Sequence, residues 1–248
     1  VNIHQQTNGY GLAIRLVPSR IPTPEALRFE DPLLDIVNLT AGFVVISGPT
    51  GSGKSTTMAS LIQAINENHA RHIVTLEDPI EYRFQNEKSL IEQRQLGTNF
   101  PSFQHGLRHV LRQDPDVIVV GEMRDPETIS LALTAAETGH LVISTLHAPN
   151  AAEVIERIVN VFEGVSQQQI LVQLSATLSI VVAQQLLTAK KGGVIAAREV
   201  LLNSMAVQNA IRSNNLSTIR SAIQTGKKLG MISMAQSIKS LKEEGLIS

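Results

Sequence analysis

The residues with the clearest chemical meaning lie in one glycine-rich stretch, Gly48-Pro-Thr-Gly-Ser-Gly-Lys54-Ser55, which matches the pattern G-x-x-x-x-G-K-[ST]. Glycines let backbone N–H groups approach phosphate oxygens, and a helix that follows directs its positive end at the anion. Lys54 is expected to contact the β- and γ-phosphates of ATP, and the Ser55 hydroxyl to bind Mg²⁺. The residues predicted to bind the nucleotide are Gly48, Pro49, Thr50, Gly51, Ser52, Gly53, Lys54, Ser55 and Thr56.

A carboxylate follows a second apolar stretch, in the run Asp116-Val-Ile-Val-Val-Gly-Glu122. Ligands of open α/β sheets bind at the carboxyl ends of the strands, where such a residue would lie. Glu122 is therefore a candidate either to polarise the water that attacks ATP or to hold Mg²⁺ through a water molecule. An ordinary strand followed by a solvated carboxylate has the same pattern, but the glycine-rich motif favours the catalytic interpretation.

Three further carboxylates, Glu77, Asp78 and Glu81, lie close together at the end of a third apolar run. Like charges at this spacing repel one another unless a cation or a hydrogen-bond donor lies among them. Two interpretations follow: Glu77 and Glu81 serve the water network around Mg²⁺, or the cluster is a solvated turn.

Two histidines, His140 and His147, flank the last predicted strand. They are seven positions apart, and an odd separation along a strand places side chains on opposite faces. We therefore expect no shared metal ion. His147 is a candidate sensor of the γ-phosphate, and the alternative is a histidine that only satisfies its own hydrogen bonds.

Arg15 precedes a proline-containing segment and cannot easily fold back onto its own nucleotide. In a ring of subunits it could reach the γ-phosphate of a neighbour as an arginine finger. Arg20 and Arg94 are weaker candidates for that role. The alternative for any single arginine is a surface salt bridge.

Secondary-structure patterns place these residues in an α/β protein. Apolar runs at 43–47, 72–76, 117–120 and 141–145 suit strands that are covered on both faces, as in a parallel sheet. A helix is predicted over 54–68, and another begins after the N-cap candidate Asp125 and ends at Gly139. Residues 10–17 are predicted to form a strand. After about Gln168 the pattern predicts helices to the end of the chain, interrupted at 190–193 and 214–215.

Composition limits the other functions that the chain could have. The formal net charge is −1 and aromatic residues make up 3% of the chain, so nucleic acid is not expected as the main partner. Cysteine is absent, which excludes disulfides and cysteine-ligated zinc. No apolar run approaches the roughly 20 residues that span a bilayer. A guanine-reading N-K-x-D motif is also absent, which disfavours a GTPase.

Four motifs together resemble the secretion and pilus ATPase family, and the members that retract type IV pili are the most similar. The motifs are the phosphate-binding loop, I-V-T-L-E-D-P-I-E over 73–81, G-E-M-R-D over 121–125 and T-G-H-L-V-I-S-T-L-H over 138–147. The resemblance implies a RecA-like core and a homo-hexameric ring in the cytoplasm, at the inner face of the bacterial inner membrane. It also implies a membrane platform protein as partner, through which the ring associates with the membrane peripherally.

Site residues follow from the same resemblance. It assigns Glu122 as the catalytic glutamate, Glu77 and Glu81 to the acidic motif, His140 and His147 to the histidine motif, and Arg15 to an interfacial arginine. The domain organisation that it implies is a remnant of a PAS-like amino-terminal domain over 1–17 and a linker over 18–32. A RecA-like core over 33–190 and a helical carboxy-terminal subdomain over 191–248 complete it.

Two departures from the family pattern leave alternatives open. Most of the amino-terminal domain is missing, which allows a fragment that binds nucleotide without efficient turnover. The retraction-type motif A-I-R-N-L-I-R-E occurs only loosely, over 206–213. An ATPase of similar build from a type IV or type II secretion system is therefore the alternative, and a RecA-type nucleic-acid translocase is a more distant one.

Overall fold

A seven-stranded sheet forms the centre of the described part of the chain, which comprises residues 2–14 and 20–248 of this computed structural model. Residues 2–14 form a separate antiparallel hairpin of β1 (Asn2–Gln6) and β2 (Gly9–Ala13). The strands of the large sheet are β3 (Gly42–Ser47), β4 (His72–Glu77), β5 (Leu90–Gln95), β6 (Val117–Val120), β7 (Leu141–Leu146), β8 (Leu178–Thr188) and β9 (Val194–Leu202).

The order of strands across the sheet is β5-β4-β6-β7-β3-β8-β9, and every neighbouring pair is parallel except β8 and β9. Nine α-helices are found in the described residues. They are α1 (Asp31–Asp35), α2 (Lys54–Asn68), α3 (Phe103–Val110), α4 (Pro126–Glu137), α5 (Ala151–Val159), α6 (Gly164–Thr177), α7 (Met205–Arg212), α8 (Leu216–Thr225) and α9 (Met234–Glu243).

Two apolar layers cover the two faces of the sheet. Successive side chains of a strand point to opposite faces, so Val44 and Ile46 pack with α2 in one layer. Phe43 and Val45 pack in the other layer, with residues of α4, α5 and α6. Burial on both faces explains why the central strands are continuous apolar runs rather than alternating ones.

The local patterns predicted several elements correctly. The helix predicted over 54–68 is α2, and β6 has the predicted bounds. The side chain of Asp125 accepts a hydrogen bond from the Thr128 backbone N–H, as an N-cap of α4 does, and Gly139 follows that helix with a φ of 102°. The interruption near Asn214 separates α7 from α8.

The prediction of helices from Gln168 to the end is wrong for 178–202, where β8 and β9 form an antiparallel hairpin. The loop between them contains Gly192 and Gly193 at φ values of 90° and 77°. Because β9 continues the central sheet, a domain boundary at residue 190 would fall inside this hairpin. The strand predicted over 10–17 corresponds to β2, and residues 15–19 lie outside the described part of the chain.

Arg198 on β9 forms hydrogen bonds between the sheet and the segment that precedes α1. Its side chain is 1% exposed. The guanidinium donates hydrogen bonds to the carbonyl oxygens of Leu27 at 3.0 Å and Arg28 at 3.3 Å, and it lies 3.3 Å from a carboxylate oxygen of Glu30. It also lies over the ring of Phe29, 5.1 Å from the centroid. The end of the predicted linker is therefore packed against the core.

No helix in residues 2–14 and 20–248 combines the length and the apolar character needed to cross a membrane.

Candidate active site

The carboxyl ends of four parallel strands meet at one edge of the sheet and surround a cleft of about 700 Å³. The glycine-rich loop follows β3, the acidic loop follows β4, Glu122 follows β6 and His147 follows β7. Residues from all four segments line the cleft, among them Lys54, Ser55, Glu77, Asp78, Glu81, Glu122 and His147. This edge is where open α/β sheets bind their ligands.

The glycines of the loop are required by its conformation and its packing. Gly48, Gly51 and Gly53 have φ values of 144°, 78° and 86°, in the region that favours glycine. A Cβ atom at Gly48 would lie 2.3 Å from the backbone oxygen of Gln184, so no larger residue fits there. A Cβ at Gly51 would meet nothing within 4 Å, which leaves its backbone open to the cleft.

The side chain of Lys54 folds back onto the start of the glycine-rich loop. Its ammonium group donates hydrogen bonds of 2.9 Å to the carbonyl oxygens of Gly48 and Pro49. Burial lowers the pKa of Lys54, and the nearby carboxylates of Glu122 and Glu81 oppose that effect. The Lys54 ammonium group is therefore already in place when an anion enters the cleft. The anion can replace the two carbonyl oxygens as its hydrogen-bond partner.

The amino end of α2 adds further donors to the same place. Its N-cap is Gly53, which offers no side chain to satisfy the N–H groups of the first turn. These groups, together with Ser55 and Lys54, suit the phosphates of a nucleotide and an accompanying Mg²⁺. The donor set of this chain therefore fits Mg-ATP.

Glu122 is fixed at the end of β6 by close packing between strands. The N–H group of the preceding Gly121 donates to the backbone oxygen of Leu76 at 2.7 Å. A Cβ at Gly121 would lie 3.1 Å from that oxygen, so a larger residue would need a small shift of the neighbouring strand. The Glu122 carboxylate pairs with Arg124 at 2.6 Å and lies 3.8 Å from Nε2 of His147.

The acidic loop contributes a buried carboxylate and more open ones. Glu77 is 8% exposed and accepts hydrogen bonds from Thr75 at 2.6 Å and from Gln93 at 3.1 Å. Burial raises the pKa of Glu77 above its usual value. Asp78 and Glu81 line the cleft. Glu77 is therefore a buried, hydrogen-bonded carboxylate, whereas Asp78 is exposed and Glu81 is half-buried.

His147 faces the cleft from the end of β7, and Nη1 of Arg157 holds its backbone oxygen at 2.8 Å. Burial, followed by the positive charge of Lys54, lowers the pKa of His147. The imidazole is consequently favoured in its neutral form at neutral pH. A neutral imidazole beside Lys54 and Glu122 can donate or accept a hydrogen bond without adding charge to the cleft.

The structure does not support the predicted catalytic role of His140 in this cleft. His140 precedes β7, whereas the cleft lies after that strand, and six strand residues at 3.3 Å each separate the two ends by about 20 Å. Its Nδ1 lies 2.9 Å from the backbone oxygen of Ala135 and 3.2 Å from Thr138 Oγ1. The imidazole of His140 therefore makes its hydrogen bonds locally, at the end of α4.

Of the predicted arginines, Arg20 and Arg94 are not brought into the cleft. Arg15 lies outside the described residues. Arg20 is exposed, and Arg94 on β5 forms an ion pair with Glu92 of its own strand at 2.5 Å. Neither Arg20 nor Arg94 lines the cleft.

The sequence analysis missed several residues that line the cleft or contact its glycine-rich loop. Arg124 pairs with Glu122, and the hydroxyl of Tyr82 forms a 2.9 Å hydrogen bond with Thr56. Gln184, which interrupts an apolar run, contacts the glycine-rich loop from β8. The sequence contains one signal for Gln184, which is a polar residue inside an otherwise apolar strand. A buried amide needs hydrogen-bond partners, so such a residue indicates a polar contact.

Comparison with known proteins agrees with this geometry. The family described as type II/IV secretion system protein matches residues 24–220. A twitching motility protein of Neisseria gonorrhoeae is 47% identical over all of this chain and 67% of its own length. The type IV pilus retraction ATPase PilT of Pseudomonas aeruginosa is 43% identical over all of this chain and 72% of its own length.

Solved structures give the same result. A crystal structure of the pilus retraction motor PilT with bound ADP matches with a TM-score of 0.92 at 43% identity, covering 99% of this chain and 70% of that one. The ATPase DotB of Legionella pneumophila matches with a TM-score of 0.88 at 31% identity, covering 94% and 65%. The chain therefore belongs to the type II/IV secretion system protein family.

Proposed function

We propose that this chain is an ATP-hydrolysing motor subunit that powers the retraction of type IV pili. The observation that carries the proposal is the convergence of Lys54 and Glu122 on one cleft, from the ends of two different strands. That pairing supplies a phosphate-binding cation and a carboxylate for the attacking water. The similarity to two proteins named for twitching motility and pilus retraction supports the mechanical role.

In the proposed reaction a water molecule attacks the γ-phosphorus in line with the bond to the β–γ bridging oxygen. Glu122 orients that water and accepts its proton, while the bridging oxygen leaves with ADP. Lys54 exchanges the carbonyl oxygens of Gly48 and Pro49 for phosphate oxygens. Mg²⁺ held by Ser55, and through water by Glu122, would neutralise part of the phosphate charge.

The other cleft residues position these groups. Arg124 pairs with the Glu122 carboxylate at 2.6 Å, and the neutral imidazole of His147 lies 3.8 Å from the same carboxylate. Glu77 and Glu81 serve the water network beside the metal, and His147 senses the γ-phosphate by hydrogen bonding. Pro49, Thr50, Gly51, Ser52 and Thr56 complete the nucleotide-binding loop.

Work on a pilus requires that hydrolysis in one subunit moves another part of the assembly. We propose a homo-hexameric ring in the cytoplasm, in which Arg15 of one subunit reaches the nucleotide of its neighbour. The ring would contact a platform protein of the inner membrane and associate with the membrane only through it. With a net charge of −1, the chain has no electrostatic reason to bind nucleic acid instead.

A secretion ATPase is the second candidate. The match of residues 24–220 to the family described as type II/IV secretion system protein favours it over unrelated ATPases. Identity to the retraction ATPases is higher, at 47% and 43%, so retraction is the leading proposal.

The experiment is a retraction assay in a piliated bacterium that lacks its own retraction ATPase, complemented with the full-length protein. We expect the wild-type protein to restore retraction and Lys54→Ala to restore none. Lys239→Ala, an exposed lysine on α9, is the matched control and should behave as wild type. Failure of a protein that hydrolyses ATP to restore retraction would overturn the retraction proposal and leave secretion as its replacement.

A further inference from the structure

Gln184 lies in β8, and its buried side-chain amide hydrogen-bonds to residues of the glycine-rich loop and of α2. Its side chain is 1% exposed. Nε2 donates to the backbone oxygen of Ser52 at 2.6 Å, and Oε1 accepts from the hydroxyl of Thr57 at 2.9 Å. One side chain thus joins the glycine-rich loop to the first turns of α2.

The loop is packed around Gln184 as well as hydrogen-bonded to it. A Cβ at Gly48 would lie 2.3 Å from the Gln184 backbone oxygen, and a Cβ at Gly53 would lie 3.1 Å from its Nε2. The beginning and the end of the loop therefore both approach this residue closely. A larger side chain at Gly48 would collide with the backbone of β8.

The hydrogen bond to Ser52 also fixes the direction of a donor that faces the cleft. A trans peptide unit is planar, and its C=O and N–H groups point in opposite directions. When Gln184 holds the Ser52 oxygen on the β8 side, the N–H of Gly53 is turned away from β8. Gly53 lines the cleft, so its N–H is available to a phosphate oxygen.

We propose that Gln184 is a positioning residue that holds the glycine-rich loop in its phosphate-binding conformation before the nucleotide arrives. This inference rests on the proposed ATPase function, because it takes the nucleotide phosphates as the ligand of the loop. Glycine-rich segments lose much conformational entropy when they are ordered. A loop ordered in advance by the protein binds its ligand more tightly, since that entropy is not lost on binding.

Gln184→Leu is the principal test, because leucine has a similar size and makes neither hydrogen bond. Gln185→Leu is the matched control, since the neighbouring position points to the other face of the strand. Two quantities are measured for each variant: the Kd for ADP with Mg²⁺ by calorimetry, and backbone amide hydrogen exchange over residues 48–55 without nucleotide.

We expect Gln184→Leu to weaken ADP binding about tenfold or more and to speed amide exchange in the loop, because two buried hydrogen bonds are lost. Gln185→Leu should leave both quantities close to wild type. Gln184→Met keeps a similar length and removes the donor to Ser52. It should weaken ADP binding as well, and it replaces Gln184→Leu if that variant does not fold.

The outcomes separate this inference from the proposed function. A folded Gln184→Leu with wild-type Kd for ADP and wild-type exchange in the loop would overturn the positioning role while leaving the ATPase proposal intact. Weak ADP binding with unchanged exchange of the loop amides would also contradict it, since loop order is the proposed cause. A wild-type chain that binds no ADP would overturn both.

Discussion

Replacing Lys54 with alanine is expected to reduce ATP turnover by about a hundredfold to a thousandfold, since the loss of one donor aimed at developing charge has an effect of this size. The ammonium group lies at the closed end of the loop, and its hydrogen bonds to Gly48 and Pro49 place it where phosphate oxygens would enter. Alanine removes the cation that faces the loop carbonyls, and among the described lining residues the remaining arginine or lysine, Arg124, is paired with Glu122. Steady-state phosphate release with saturating Mg-ATP measures the effect.

The control for this substitution is Lys239→Ala, which removes an equivalent charge from an exposed site on α9. Thermal unfolding of both variants should show that they are folded, because Lys54 lies at the edge of the core rather than within it. Turnover of Lys54→Ala at the wild-type rate would remove the glycine-rich loop from the reaction.

Substitution of Glu122 by glutamine is the second large effect that we expect. Glutamine has the same shape, so it retains the position at the end of β6, but it cannot take a proton from water. Loss of a general base lowers the rate by about 10² to 10⁴. ATP binding should survive, because Lys54 and the loop amides are unchanged, and the variant should accumulate unhydrolysed ATP. A single-turnover assay with radiolabelled ATP measures binding and hydrolysis separately.

Glu127→Gln is the matched control for Glu122. Glu127 is an exposed carboxylate on α4 that pairs with Arg108 rather than facing the cleft. It should bind and hydrolyse ATP as the wild type does. Normal phosphate release by Glu122→Gln would exclude Glu122 as the base, and equal losses in both variants would indicate a general effect of lost charge.

Short-range patterns predicted the elements that hold these residues. The start of α2 follows from the glycine-rich motif. The start of α4 follows from Asp125, which caps the helix, and from Pro126, whose ring suits the first helical position. Both signals act within a few residues, so no knowledge of the rest of the chain was needed. The strand-end position of Glu122 was predicted in the same way, from an apolar run and its last residue.

The hairpin of β8 and β9 depends on distant partners and was not predicted. The run that became β8 is apolar and long, and an apolar run of this kind suits a buried helix as well as a strand. Its conformation is decided by pairing with β3, more than 130 positions earlier, and with β9. The hydrogen bond between Thr57 and Gln184 joins residues 127 positions apart, so local patterns could not predict it either.

The motif resemblance did not predict which of the two histidines lies at the cleft. His140 and His147 belong to one motif, yet they lie at opposite ends of β7, and only His147 lines the cleft. Sequence spacing did not say which end of the strand carries the nucleotide. Arg124 was missed because its role depends on the ion pair with Glu122, which the sequence does not display.

A structure of the protein with Mg²⁺ and a non-hydrolysable ATP analogue tests the central claim most directly. The account predicts the β-phosphate within hydrogen-bond distance of the loop amides and Lys54, with Glu122 facing the γ-phosphate through a water molecule. A triphosphate bound away from Gly48 to Ser55, with Glu122 directed elsewhere, would contradict it.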